Sequence, residues 1–481
     1  MRKTLIRSAI LAGLVACSCA INPVTGKREL ALLSESQEIS MGREADPQIV
    51  AEYGLYDDPK IQAYVNEVGQ KMARLSHRAD LEFTFRVLDS PILNAFALPG
   101  GYVYITRGIL AHMNNEAELA MVVGHEIGHV TARHGVSQQS RAQVANLGLG
   151  LGSVFSETLA KYGQAAQQAT GLLFLKYGRD DERQSDELGV AYSLKAGYDA
   201  TAGCKFFEVL DRQSAESGQS LPNWMSTHPA PADRVATTRQ LAATQRPQFP
   251  GATTVAEDRH KRMLEGMVFG DDPRQGFFHN GVFKHPALRF QLAMPRGWKT
   301  ANTPNALQAL EPQERAMLQM TLASSQGVTP AQHAARVAQG AQGTLAQAGA
   351  ERVHGADAYL ATLVVQAEDG SQMPVFLGLV QRQPGGAIYQ FVGQAVPGAY
   401  DGFVDEFTTA VRSLDTLTDS NALNVVPNRV AVQSITAATT LSRAAAGAPV
   451  PVNAIALLNN LASDAALARG FQLKLVRAGR K

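Results

Sequence analysis

The run Met121-Val122-Val123-Gly124-His125-Glu126-Ile127-Gly128-His129-Val130 holds the pattern H-E-x-x-H. On a helix, residues four apart share a face, so His125 and His129 can grip one metal ion together. Glu126 projects beside the pair, where its carboxylate can take a proton from a water that the metal activates. The flanks suit a helix: Asn114 to Ala120 is an acid-rich entry, and Met121, Val122, Ile127 and Val130 are apolar. A buried helix with two satisfied histidines would show the same three positions, so the remaining ligands have to decide. A catalytic zinc takes three protein ligands and keeps one position open for water. Glu182 is the candidate third ligand, in Arg179-Asp180-Asp181-Glu182-Arg183-Gln184-Ser185-Asp186-Glu187-Leu188-Gly189. Glu182 and Asp186 share a helical face, which suits one carboxylate ligand and a second carboxylate orienting a histidine ring. The plainer alternative for this segment is a solvated, charge-rich helix face.

These motifs, together with Asn22-Pro23-Val24-Thr25-Gly26, Asn94-Ala95-Phe96-Ala97-Leu98-Pro99-Gly100-Gly101 and Ser226-Thr227-His228-Pro229 followed by Arg234, stand in one order between Asn22 and Leu241. In that order the chain resembles the HtpX/CAAX-prenyl-endopeptidase family of zinc metallopeptidases, in its periplasmic BepA/LoiP-type lipoprotein branch. The resemblance implies His125, His129 and Glu182 as ligands of one zinc ion per chain, Glu126 as general base and Asp186 as the group behind the ligands. It also implies that His228 and Arg234 face the active site, His228 either steadying the oxyanion or capping the zinc at rest. The chain departs from the family pattern E-x-E-A-D, reading Glu182-Arg183-Gln184-Ser185-Asp186 with both terminal acids kept.

The elements that must position these residues are legible on either side. Ser34 to Tyr53 and Asp58 to Leu75 read as helices, with Ser34 or Ser36 and then Asp58 before Pro59 as their N-caps. Glu82 to Leu88 alternates as a strand. Asn94 to Thr106 holds two strand-like runs around Pro99-Gly100-Gly101. The run Asn94, Ala95, Phe96, Ala97 and Leu98 is the candidate edge strand on which an extended substrate would pair its backbone. Arg133 and His134 suit the C-terminal end of the motif helix, where positive charge meets the helix dipole. His134, five residues past His129, is expected to point elsewhere, and it is read as structural together with His77 and His112. Leu147 to Gly152 is a glycine-rich run, either a flap beside the cleft or a close helix crossing.

With 481 residues, 45% hydrophobic and 18% charged, the chain has material for two or three globular domains. The net charge is +1, and would be −2 without Arg2, Lys3 and Arg7, so neither value argues for nucleic acid. Residues 1–16 read as a signal peptide cut before Cys17, in the lipobox-like Leu14-Val15-Ala16-Cys17 that makes Cys17 the expected lipidation site; the plainer alternative is a secretory signal cut after Ala20. Ser18 after it favours the outer membrane, and no other stretch offers the ~18 apolar residues of a membrane helix. Of three cysteines, Cys204 is expected as a packed core thiol, with a Cys19–Cys204 pair as the only disulfide open to the chain.

The expected fold class is α+β. A mainly helical zincin-type metallopeptidase domain over 17–268, with a small sheet and edge strand, is followed by an α+β sandwich-like domain over 276–420. The latter has strands at 316–323, 358–366, 374–380 and 387–392 and helices at 329–348 and 400–414. Residues 426–477 resemble a LysM module of order βααβ, with Ala438-Thr439-Thr440 where G-D-T is usual; a peptidoglycan binder and a purely structural copy both remain open.

The expectation is a zinc endopeptidase of the bacterial cell envelope, in the periplasm and lipid-anchored to the outer membrane. By resemblance, its substrates are misfolded or misassembled envelope proteins. The alternative from another class is a non-catalytic, zinc-stabilised lipoprotein scaffold or holdase tethered to membrane and peptidoglycan.

Overall fold

A computed structural model describes residues 19–149, 177–216, 224, 228, 233–366 and 370–479. Cys17, Gly150 to Gly152 of the glycine-rich run, and Ser226, Thr227 and Pro229 beside His228 fall outside them. Chain contacts divide the protein into two compact units, one formed by residues 1–151, 166–271 and 428–479, the other chiefly by 272–427.

In the first unit, the helix Glu35–Tyr53 starts at Ser34, which forms a capping box with Gln37. The helix Pro59–Ala73 starts at Asp58, whose carboxylate accepts from the amides of Lys60 and Ile61. Both lie against a three-stranded sheet in which Thr84–Leu88 runs parallel to the central Tyr102–Thr106, and Ala95–Leu98 antiparallel to it at the edge. Gly100 and Gly101 make the turn with φ of +84° and +96°. That conformation is open to glycine at little cost, and a Cβ on Gly100 would also lie 2.8 Å from Ile39 Cα.

The motif helix, Glu116–Thr131, is capped by Asn115 and buried along its whole length. It crosses the helix Arg179–Lys195 at close range, because the contact is lined by small residues. A Cβ on Gly124 would lie 3.1 Å from Gly189 Cα, and one on Gly128 3.1 Å from Ser185 Cα. This approach lets carboxylates of one helix reach the histidines of the other.

Residues 428–479, expected as a separate third body, are instead part of this first unit. The strands Arg429–Ser434 and Gln472–Arg477 pair antiparallel around the helices Leu441–Ala444 and Val452–Leu458, a βααβ order with one extra short strand pair, Thr439–Thr440 with Ala466–Leu467. Val430, Leu457, Leu458 and Val476 enter the same apolar cluster as the motif helix. Lys474 is wholly buried and donates to the carbonyls of Ala111, at 2.7 Å, and Met113. No local periodicity announces such a seat; it depends on which distant surface the strand meets.

The second unit is built on a seven-stranded antiparallel sheet of order 344–353, 356–366, 372–381, 388–395, 316–323, 306–310, 299–302. The helix Val404–Arg412 packs on it through Phe407 and Val411, while Ala334 and Ala338 of the helix Pro330–Gly340 join clusters with Leu377, Leu379, Leu363 and Val365. Two helix expectations need correction. The run expected to be helical to Ala348 stops at Gly340, turns at Gln342 with φ of +50°, and continues as the strand Thr344–Val353. Pairing with Ala356–Gln366 overrides the helix propensity of its alanines and glutamines. The run expected from Tyr400 to Leu414 begins as a 3-10 turn, Tyr400–Gly402, before its helix.

Candidate metal centre

His125, His129, Glu182 and His228 bring one donor atom each within 4.8 Å of one another, all four buried. The facing nitrogens of His125 and His129 (Nε2 of each) are 3.0 Å apart, and Glu182 lies 3.6 Å and 3.4 Å from them. His228 Nδ1 sits 3.0 Å from Glu182 and 3.4 Å from His125 Nε2. Behind the ring of His125, Nδ1 donates to Asp186 Oδ1 at 2.8 Å. The same oxygen receives Arg234 Nη2 at 2.7 Å, and Arg234 Nη1 lies 3.4 Å from Glu182. The guanidinium is roofed by Phe207, with its carbon 4.4 Å from the ring centre.

The electrostatics follow from burial. It pushes His125 and His129 well below their ordinary range and so keeps them neutral, the form in which imidazole binds a metal. Burial alone would raise Glu182, but His228, His129 and His125 around it hold it well below the usual carboxylate range. Burial pushes Glu126 up to about 7. Neither oxygen of Glu126 has a hydrogen-bond partner among the described residues; His228 Nε2 stands 3.7 Å from Oε1. A buried carboxylate left without partners is costly unless something outside the chain completes it. Three nitrogens, a low-lying carboxylate and an orphaned second carboxylate are a donor set that fits zinc with a polarised water.

The edge strand lies beside this cluster. Ala97, Leu98 and Pro99 line a small cavity with His129, Arg133 and Tyr177. Phe96 turns to the opposite face and stacks on Tyr104 at 4.9 Å. Asn94 precedes the strand, and its carbonyl accepts from the Thr106 amide. His77 bonds Tyr192 and His112 bonds the Gly108 carbonyl, both away from the cluster. Cys204 is a free, buried thiol, so the pair with Cys19 is not formed.

One expectation is overturned. His134 does not point elsewhere: its Nδ1 is 3.0 Å from His129 Nδ1. The helical rotation used to place it ends at Thr131, Arg133 turns left-handed with φ of +58°, and His134 begins the next helix folded back under the ligand. Two aromatic residues were also not foreseen. Tyr177 stacks on His129 at 3.8 Å and Trp224 on His228 at 4.2 Å. Trp224 carried the only available signal, since it stands four residues before His228 in a chain with two tryptophans.

Residues 59–242 match the family model for peptidase family M48. The beta-barrel assembly-enhancing protease of Escherichia coli (strain K12) is 30% identical over 235 residues, covering 47% of this chain and 48% of that protein. The protein of the same name from Yersinia pestis is 28% identical over 291 residues, covering 56% and 59%. The mitochondrial metalloendopeptidase OMA1 of Schizosaccharomyces pombe is 28% identical over 223 residues, covering 44% and 63%. The match thus spans about half the length of these curated relatives.

Proposed function

We propose, from the peptidase family M48 domain at residues 59–242, that the chain is a zinc-dependent endopeptidase of the bacterial cell envelope. The observation that carries the reading is the orphaned, buried Glu126 carboxylate beside the converging donors of His125, His129 and Glu182. These three residues would hold one zinc ion, with Asp186 fixing the ring of His125. Zinc bound there supplies Lewis acidity, acidifying water and polarising the scissile carbonyl. Glu126 accepts the proton of the attacking water and delivers it to the leaving amine nitrogen. The backbone of Asn94 to Leu98 would align an extended substrate beside His129. His228 and Arg234 would steady negative charge developing on the carbonyl oxygen.

His228 also supports a resting state. Its Nδ1 stands among the other three donors, so it would fill the position that catalysis needs open. Hydrolysis then requires His228 to leave that place, and Trp224, stacked on it, moves or re-packs with it.

The substrates we assign are misfolded or misassembled envelope proteins, including unassembled outer-membrane β-barrel proteins; the names of the bacterial relatives support that class. The lipobox-like Leu14-Val15-Ala16-Cys17 supports a lipid-anchored periplasmic location at the outer membrane, and among the described residues no helix is long and apolar enough to cross a membrane. The βααβ order supports a LysM-like origin for 426–477, with a bracing role in the first unit in place of glycan binding.

The test is digestion of unfolded casein by wild type and Glu126→Gln, with bound zinc measured in both. Expected is a loss of about 10²–10⁴-fold in rate for the variant with zinc retained, the share of a general base. Zinc-loaded wild type and His228→Ala that both leave casein intact would favour the scaffold.

A further inference from the structure

The two histidines of the motif are supported in different ways. His125 donates from Nδ1 directly to the carboxylate of Asp186 at 2.8 Å. Among the described residues no carboxylate bonds the far side of His129; His134 Nδ1 stands there at 3.0 Å. With Nε2 of His129 given to a metal, its ring proton lies on Nδ1, and the group facing it must accept. His134 therefore accepts through Nδ1 and carries its own proton on Nε2, which lies 2.8 Å from Gln184 Oε1. The carboxamide oxygen receives that proton, so every hydrogen bond in the row has one direction. Ser185 Oγ, 3.3 Å from His134 Nδ1, braces the same ring. Gln184 and Ser185 are the two positions at which the chain departs from the pattern E-x-E-A-D, and both meet His134.

We propose that His134 is a positioning residue for the metal ligand His129, held in its acceptor tautomer by Gln184. One ligand is thereby oriented directly by a carboxylate and the other through an imidazole, whose far nitrogen meets Gln184 Oε1 at 2.8 Å, with Asp181 Oδ1 further off at 3.9 Å. Groups behind metal-bound histidines fix ring orientation, and their loss costs about 10–100-fold in metal affinity. The inference rests on the zinc reading above.

The experiment is zinc affinity of the full chain, measured by competition with a chromogenic chelator. His134→Ala is expected to weaken binding by about 10–100-fold. Gln184→Ala should weaken it less, and the double variant no more than His134→Ala alone, because Gln184 acts only through His134. Gln184→Glu, which restores an acceptor oxygen, should bind like wild type, as should Glu187→Ala on the exposed side of the same helix. A merely structural role would make the two losses add and would not be rescued by the glutamate. Unchanged affinity in His134→Ala, or additive losses, overturns the inference while wild type still binds zinc. Should His134→Ala fail to fold, unchanged affinity in Gln184→Ala overturns it equally. Wild type that binds no zinc overturns the peptidase reading, and this inference with it.

Discussion

The two units bury different things. The interior of the first holds Glu38, Arg78, Arg107, Glu118, Glu126, Glu182, Asp186, Arg234 and Lys474, most of them charged and paired. Glu38 alone receives Arg78 at 2.7 Å and Arg133 at 2.9 Å, tying the first long helix to the end of the motif helix. The second unit, among its described residues, buries phenylalanine, leucine, valine and alanine around its sheet, with Glu311 and Asp272 as its buried acids. A buried charge is stable only with its partners in place, so it specifies geometry at the cost of tolerance. An apolar core forgives more and positions less. The candidate metal centre stands where the charges are buried.

The contrast is broken most directly at Lys474. Burial pushes Lys474 well below its ordinary pKa and pushes Glu118 up to about 7. Lys474→Met leaves the Ala111 and Met113 carbonyls without the ammonium that donates to them and removes the positive charge that favours the ionised form of the buried Glu118. We expect about 3–5 kcal/mol of destabilisation of the first unit, read by chemical denaturation. A loss below 1 kcal/mol would mean that the C-terminal strands merely rest against the peptidase.

In the second unit the equivalent blow is steric. A Cβ on Gly393 would lie 2.6 Å from the Phe407 ring, which packs there because the glycine leaves room. Gly393→Ala should cost about 1–3 kcal/mol by overpacking and leave casein cleavage unchanged. Cleavage that fell with it would couple the two units.

A smaller, pH-dependent effect belongs to His260, bonded to Tyr64 and the Met113 carbonyl. Burial, then Lys474, pushes its pKa down to about 3 from an ordinary value of about 6.5. The unfolded chain therefore binds the proton first as pH falls. The stability the neutral ring contributes is complete above about 6.5 and is lost as pH falls towards about 3. In chelator, the stability margin of wild type over His260→Gln should shrink steadily across that window; a constant margin would contradict the assignment.

The smallest effect should come from Arg412, whose bond to Glu351 at 2.8 Å lies at the surface of the second unit. Arg412→Ala should change the unfolding free energy by no more than about 1 kcal/mol, and less in high salt. A loss matching that of Lys474 would erase the contrast between buried and exposed charge.

Much of the metal centre was legible because its logic is local. The four-residue spacings of His125 with His129 and of Glu182 with Asp186 choose a helical face whatever surrounds them. The caps at Ser34 and Asp58 act within one turn of their own helices. The strand at 316–323, whose burial alternates over most of its length, is legible for the same reason. What escaped involved distance or a local exception. His134 was misplaced because a non-glycine residue, Arg133, turns left-handed, and Glu38 and Leu33, far along the chain, hold it there. Residues 344–348, expected as the end of a helix, are strand because the partner strand, not their composition, decides them.

The sequence by itself determined the donor types and their grouping on two helices, since periodicity needs no neighbours. Tertiary structure alone decided that those helices cross closely enough to share an ion, that His134 stands behind His129, and that the C-terminal strands seat a buried lysine beneath the motif helix. Each of these depends on a free energy that exists only once two distant segments have excluded water between them.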